Sequence, residues 1–203
     1  MTTESNPTVG SRALAEELIE GRVQSHQTLL AAALSQSADQ IAAASTAIAQ
    51  ALDGGGTVFF AGNGGSAADA QHLVAEFIGR FRVERGPLAA VALGVNPAVI
   101  SALANDYGFA EASLAREFDG LARHGDVLVV MSTSGRSPNV LAALEVAKAR
   151  SLAAVAMTGT GHQLDGLADH LIVVDSDVVA LIQEIHSVLG HVICEMVERE
   201  LGY

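Results

Sequence analysis

The sequence predicts an α/β protein: a doubly wound, five-stranded parallel sheet preceded by an N-terminal helical arm. Three observations carry this. Short apolar runs at 57–61, 88–93, 126–131, 152–157 and 170–174 are solid rather than alternating, the pattern of strands covered on both faces. Stretches of helical periodicity stand between these runs, as parallel strands require. Two strands also run straight into loops of glycine and hydroxyl residues that open a helix, Gly62-Asn63-Gly64-Gly65-Ser66 and Ser132-Thr133-Ser134-Gly135-Arg136-Ser137. No internal repeat or low-complexity linker divides the 203 residues, so 11–203 reads as one domain.

Taken in order, residues 1–10 (Thr, Ser, Asn and Pro among them) read as a disordered start. From 11 to about 34, Leu14, Leu18, Ile19, Val23, Leu29 and Leu30 repeat at helical spacing. A second helix is expected over about 37–52, closed by Asp53-Gly54-Gly55-Gly56. Both have apolar stripes, which would cover the sheet and meet another subunit. Thr57-Val58-Phe59-Phe60-Ala61 is β-branched and aromatic, hence a strand, and a helix starts at Ala67 after the glycine loop. The second strand is 88–93. Short helices are expected over 97–104 and 111–121, and the third strand over 126–131. A helix follows the serine-rich loop to about Arg150, then a strand at 152–157, a loop at 158–161, a short helix at 164–168 and a strand at 170–174. A long helix, about 178–201, ends the sequence.

Composition narrows the function. Half the residues are hydrophobic, 17% are charged and the mean hydropathy is +0.35, which suggests apolar surface buried between subunits. The net charge is −12, and ten arginines with one lysine are scattered, so no phosphate-backbone (nucleic-acid) surface is expected. Cys194 is the only cysteine, so no internal disulfide forms and a reducing cytoplasm is the expected compartment. It lies in an apolar helix and reads as a packing residue. The N-terminus shows no basic-then-apolar signal, and no uninterrupted apolar run approaches the ~18 residues of a membrane span.

The chemistry gathers in three places. At the Gly62–Ser66 loop, a strand, a glycine turn and a helix N-terminus offer amides and a dipole to an anion. A nucleotide-binding lysine loop is excluded, because the one lysine, Lys148, is far away. A dinucleotide site is disfavoured, because strand 88–93 runs into Gly94-Val95-Asn96-Pro97 with no acid for a ribose. One turn into the helix, His72 and Glu76 lie four residues apart, about 40° round the axis, and share a face. The second place is Ser132–Ser137, where four hydroxyls could surround a phosphate without lysine. The third is the last helix, with Gln183, Glu184, His186 and His191. His186 and His191 are about 140° apart, so one of them is structural, and periodicity alone leaves open which. His26, His124, His162 and His170 have no such partners and read as inert. Lys148 sits mid-helix, which argues against a Schiff base.

The segments GNGGSAADAQHLVAE, ANDYGF, STSGRSPNV and IQEIHSVLGH together resemble the sedoheptulose-7-phosphate isomerases (phosphoheptose isomerases) of the SIS-domain superfamily. The likeness spans nearly the whole sequence. It implies a flavodoxin-like sheet in a homotetramer, with active sites between subunits. It also implies that Ser66, Ser132, Thr133, Ser134 and Ser137 hold the sugar phosphate. Asn63 would lie beside the sugar, and Arg80, Asp106, Gly64, Asn105 and Gln183 would contribute to substrate binding. His72, Glu76, Gln183 and His191 would ligate Zn2+, and Glu76 and His191 would be the acid/base pair. The expected reaction converts sedoheptulose 7-phosphate to D-glycero-D-manno-heptose 7-phosphate through an enediolate. Relatives often carry Asp where this sequence has Ala180. The alternative is a non-enzymatic SIS tetramer that binds a replication initiator protein; an intact acid/base and metal set argues for the enzyme.

Overall fold

The computed structural model describes residues 9–203. Most of the expected disordered start lies outside the described residues, and Val9 and Gly10 already belong to the first helix. That helix, α1 (Val9–Asp53), is one rod of 45 residues, not the two helices expected. The Ser35-Gln36-Ser37 stretch holds no proline or glycine to stop it. Ser35 Oγ donates to the Ala32 carbonyl at 3.0 Å, as Ser45 does to Ile41 at 2.8 Å, so these hydroxyls bond back to the helix instead of capping a new one. From Leu29 onward α1 packs into the core through Ala33, Ile41, Ala44 and Ile48. Before that point Leu14, Leu18, Ile19 and Val23 are exposed in the single chain.

β1 (Val58–Gly62) leads through the glycine loop into α2 (Gly65–Ile78). β2 (Ala90–Ala92) is three residues long, shorter than its apolar run. α3 (Pro97–Tyr107), α4 (Phe109–Ala112) and α5 (Ala115–Leu121) follow. The helix expected over 111–121 is therefore split, and Ser113 Oγ closes the first piece on the Phe109 carbonyl at 2.9 Å. β3 (Val127–Ser132), α6 (Pro138–Ala149), β4 (Ala153–Thr158) and β5 (His170–Val173) come next. The helix expected at 164–168 is only a turn, in which Gly166 takes a φ of 71°. α7 (Val179–Glu200) ends the fold.

The strand order is β2-β1-β3-β4-β5 and every pairing is parallel. Side chains alternate across the sheet. Val58, Phe60, Val129 and Met131 enter the core shared with α1, α2 and α7, while Phe59, Ala61, Leu128 and Val130 face α5 and α6. This explains the solid apolar runs. The winding reverses between β1 and β3, the place where open parallel sheets form a crevice. α7 is long and apolar enough by composition to cross a membrane, although polar residues such as Gln183, Glu184 and His191 interrupt it and no unbroken apolar run of that length occurs. In this fold its apolar stripe, Ile182, Ile185, Leu189, Ile193 and Val197, is core.

Candidate active site

Both loops singled out in the sequence stand at the β1/β3 crevice. They are joined by a reciprocal amide pair: Asn63 Nδ2 donates to Asn139 Oδ1, and Asn139 Nδ2 to Asn63 Oδ1, each at 2.9 Å. Asn139 is buried on α6 and gave no signal of its own in the sequence. Below this pair lies a hollow of about 160 Å³, lined by Gly62, Asn63, Gly64, Ser113 and Asn139 among others. Larger hollows lie elsewhere; one of about 420 Å³ beside Lys148 and Asp169 is at the other end of β4. Lys148 Nζ there is engaged by the Gly166 carbonyl at 2.9 Å, so that hollow offers no free cation.

In the serine-rich loop, Ser132 Oγ accepts from the Gly135 amide at 3.1 Å and lies 3.4 Å from Ser137 Oγ. Ser137 stands at the N-cap of α6, but its hydroxyl makes no capping bond and is engaged only by the long contact to Ser132. Thr133 is half-buried and Ser134 exposed. Ser66 is buried in the first turn of α2.

α2 and α7 run side by side in the same direction. Gln183 lies over Gly65, so closely that a Cβ there would be 2.5 Å from its Nε2. One turn on, Ser187 Oγ donates to Asp69 Oδ1 at 3.0 Å. Further along, Gly190 meets Leu73, and a Cβ on Gly190 would lie 2.9 Å from the leucine methyl. This register brings His191 to His72. Their Nε2 atoms are 2.8 Å apart, and Glu76 Oε1 is 3.9 Å from His72 Nδ1. His72, Glu76 and His191 offer one ligand atom each, all within 4.8 Å of one another.

Two imidazoles and a carboxylate are a donor set that zinc accepts. Tetrahedral ligands 2.0–2.1 Å from zinc stand about 3.3 Å apart, so the histidine pair would open by roughly half an ångström to hold one. Gln183 starts about 12 Å of helix rise before His191 and its amide rests on Gly65. Three other expected residues stand apart from this cluster in the single chain. Arg80 pairs with Glu84 at 3.1 Å, and Asn105 Nδ2 donates to Asp106 Oδ1 at 2.8 Å, all exposed.

The histidine left open by periodicity is settled by burial. His186 is fully buried, and neither ring nitrogen has a hydrogen-bond partner among the described residues. Burial lowers its pKa to about 4, opposed only by the Thr158 main chain that the ring faces. Cys194 is also buried, and burial pushes its thiol up to about 12, so it is no nucleophile. His26 is not inert as expected. Its Nε2 lies 2.6 Å from Glu184 Oε2, and Arg22 Nη1 donates to both oxygens of Glu184 at 3.0 Å. The bond from His26, with Arg22 behind it, holds the Glu184 carboxyl below its usual value despite partial burial.

Residues 23–159 match the SIS domain family. A phosphoheptose isomerase from Solidesulfovibrio magneticus is 46% identical over 164 residues, 81% of this chain and 80% of its own. One from Bradyrhizobium sp. is 44% identical over 189 residues, 93% of each chain. The solved structure of a phosphoheptose isomerase from Francisella tularensis superposes with a TM-score of 0.84 at 33% identity, covering 93% of this chain and 98% of that one. The chain belongs to the phosphoheptose isomerase family. In this phosphoheptose isomerase family member, the sequence left Asn139, Phe81, Arg85 and Glu198 unnoticed. Phe81 stacks on His191, ring centroids 5.0 Å apart and planes at 25°. Their partners are far along the chain: the packing of α7 beside α2 brings Phe81 to His191 and Arg85 to Glu198, and the neighbouring strands β1 and β3 bring Asn139 to Asn63.

Proposed function

We propose that this protein interconverts sedoheptulose 7-phosphate and D-glycero-D-manno-heptose 7-phosphate, with Glu76 and His191 as its base and acid. Its family makes it a sugar-phosphate isomerase. The observation that carries the finer reading is the His72/Glu76/His191 cluster, two of whose members lie on the helix that opens from the Gly62–Ser66 loop.

The reaction moves hydrogen between C1 and C2. The Glu76 carboxylate takes a proton from C1 of the ketose, and the electron pair forms the C1–C2 double bond of an enediolate. His191 supplies a proton to the C2 oxygen and receives the one that leaves the C1 hydroxyl. Glu76 then returns its proton to C2, and C1 becomes the aldehyde. The loop hydroxyls of Ser132, Thr133, Ser134 and Ser137, with Ser66, hold the phosphate, and Asn63, kept in place by Asn139, lies beside the sugar. Zinc held by His72, Glu76 and His191, with Gln183 as the resemblance suggests, would polarise the carbonyl and stabilise the enediolate charge. Arg80, Asn105 and Asp106, exposed on this chain, would serve a site completed by a second copy in a homotetramer.

NMR of the purified protein with sedoheptulose 7-phosphate, with and without added zinc, tests this. New aldose anomeric signals, stronger with zinc, are the expected result. No conversion under either condition would overturn it and turn attention to Ala180, which is exposed in the first turn of α7.

A further inference from the structure

The C-terminal end of α2 is held by a buried ion pair that the chemistry above does not use. The Arg85 and Glu198 side chains are 2% and 3% exposed and meet at 2.9 Å. Arg85 Nη2 donates to the Glu76 carbonyl at 2.8 Å, and Nη1 donates to the Phe77 and Gly86 carbonyls at 2.8 and 3.0 Å. The Glu76 and Phe77 carbonyls are in the last turn of α2, where intrahelical donors run out and a cation is favoured. Glu198 accepts the Phe81 amide at 3.0 Å on Oε1 and the Arg82 amide at 2.9 Å on Oε2. One carboxylate on α7 thus fixes the segment that leaves α2, and the fixed residue Phe81 lies against the ring of His191. Glu198 is seven residues after His191, so both project from nearly the same face of α7.

We infer that Arg85 and Glu198 are positioning residues for the His191/Glu76 pair, with Phe81 as the part that touches His191. A buried ion pair is weak evidence for stability. Beyond the pair itself, the contacts of this one all go to main-chain atoms of the segment from Glu76 to Gly86, those of Glu76 and Phe81 among them, so its geometry sets position. Positioning matters here because a 1 Å error in a reacting group costs about 10²-fold in rate.

The inference rests on the isomerase reading, and the test has one arm that does not. In metal-free, full-length protein the ring protons of His191, assigned with a His191→Gln variant, are followed by NMR. The stacked Phe81 face shifts them upfield. Phe81→Leu and Glu198→Gln move them downfield, and Phe81→Tyr, which keeps the ring, leaves them in place. With sedoheptulose 7-phosphate and zinc, Phe81→Leu and Glu198→Gln lower kcat about 10-fold or more while KM stays within about twofold, and Phe81→Tyr keeps the wild-type kcat. Unmoved His191 resonances in Phe81→Leu, or an unchanged kcat per folded molecule, overturn the inference. If Glu198→Gln does not fold, Phe81→Leu, which leaves the ion pair intact, decides the matter. A wild type without turnover sinks the isomerase reading alone, and the resonances still decide the positioning.

Discussion

Glu76 and His186 show how position on a helix separates a reacting group from a silent one. Glu76 is half-buried with its carboxylate toward His72 and, through it, His191. Glu76→Gln keeps the size and removes the base, so kcat/KM for sedoheptulose 7-phosphate should fall about 10³-fold with an unchanged circular dichroism spectrum. Full activity in that variant would remove Glu76 from the mechanism. His186 has a different consequence. It stays neutral in the folded chain down to about pH 4, whereas the unfolded chain takes up this proton near the ordinary histidine value of 6.5. Between those pH values the unfolded state binds more protons, so stability falls as pH falls through 6.5 and levels off below about 4. The full loss approaches about 3 kcal/mol. Urea unfolding at pH 7.5 and pH 5 should show wild type losing about 2 kcal/mol more than His186→Leu between the two conditions. Equal losses would show that His186 does not resist protonation.

The elements that matter most are the strand–loop–helix unit at β1 and the α2/α7 pair. Gly62 ends β1 against the first turn of α2, and a Cβ there would lie 2.7 Å from the Ser66 carbonyl carbon. Backbone cannot swing aside as a side chain can. Gly62→Ala should therefore cost about 1–3 kcal/mol in urea unfolding and weaken substrate binding, because the loop must move. A variant as stable and as active as wild type would show that the loop is looser than its packing implies. The sequence made this unit legible, since a strand, its glycine turn and its helix are contiguous and each has a local signature. The His72/Glu76 face was legible for the same reason. The break expected in α1 failed because serine and glutamine also occur inside helices when the hydroxyls bond back to the turn.

At the scale of the molecule, the exposed stripe on the first half of α1 needs a partner. Leu14 and Leu18 are 54% and 64% exposed, with Ile19 and Val23 beside them. The homotetramer proposed above would bury them. The double substitution Leu14→Glu, Leu18→Glu should lower the mass found by light scattering and reduce activity, while the core helices keep their far-ultraviolet dichroism. An unchanged tetramer would place the contact elsewhere. A monomeric wild type would overturn the shared-site proposal for Arg80, Asn105 and Asp106.

The sequence by itself determined the class of fold, the parallel alternation and the two loops at the strand ends, because each depends on neighbours a few residues apart. It also placed His72 with Glu76. Helical periodicity left open which histidine of α7 meets them; the family resemblance named His191, and the structure sets its ring against His72. Only the tertiary structure showed that Asn139 braces Asn63. It alone seated Gln183 on Gly65, tied His26 to Glu184, and set Arg85 and Glu198 behind Phe81. Those pairs join elements separated by many residues, and no local periodicity encodes the register at which two helices or two loops meet. That register follows from packing, above all the close approach that Gly190 permits between α2 and α7.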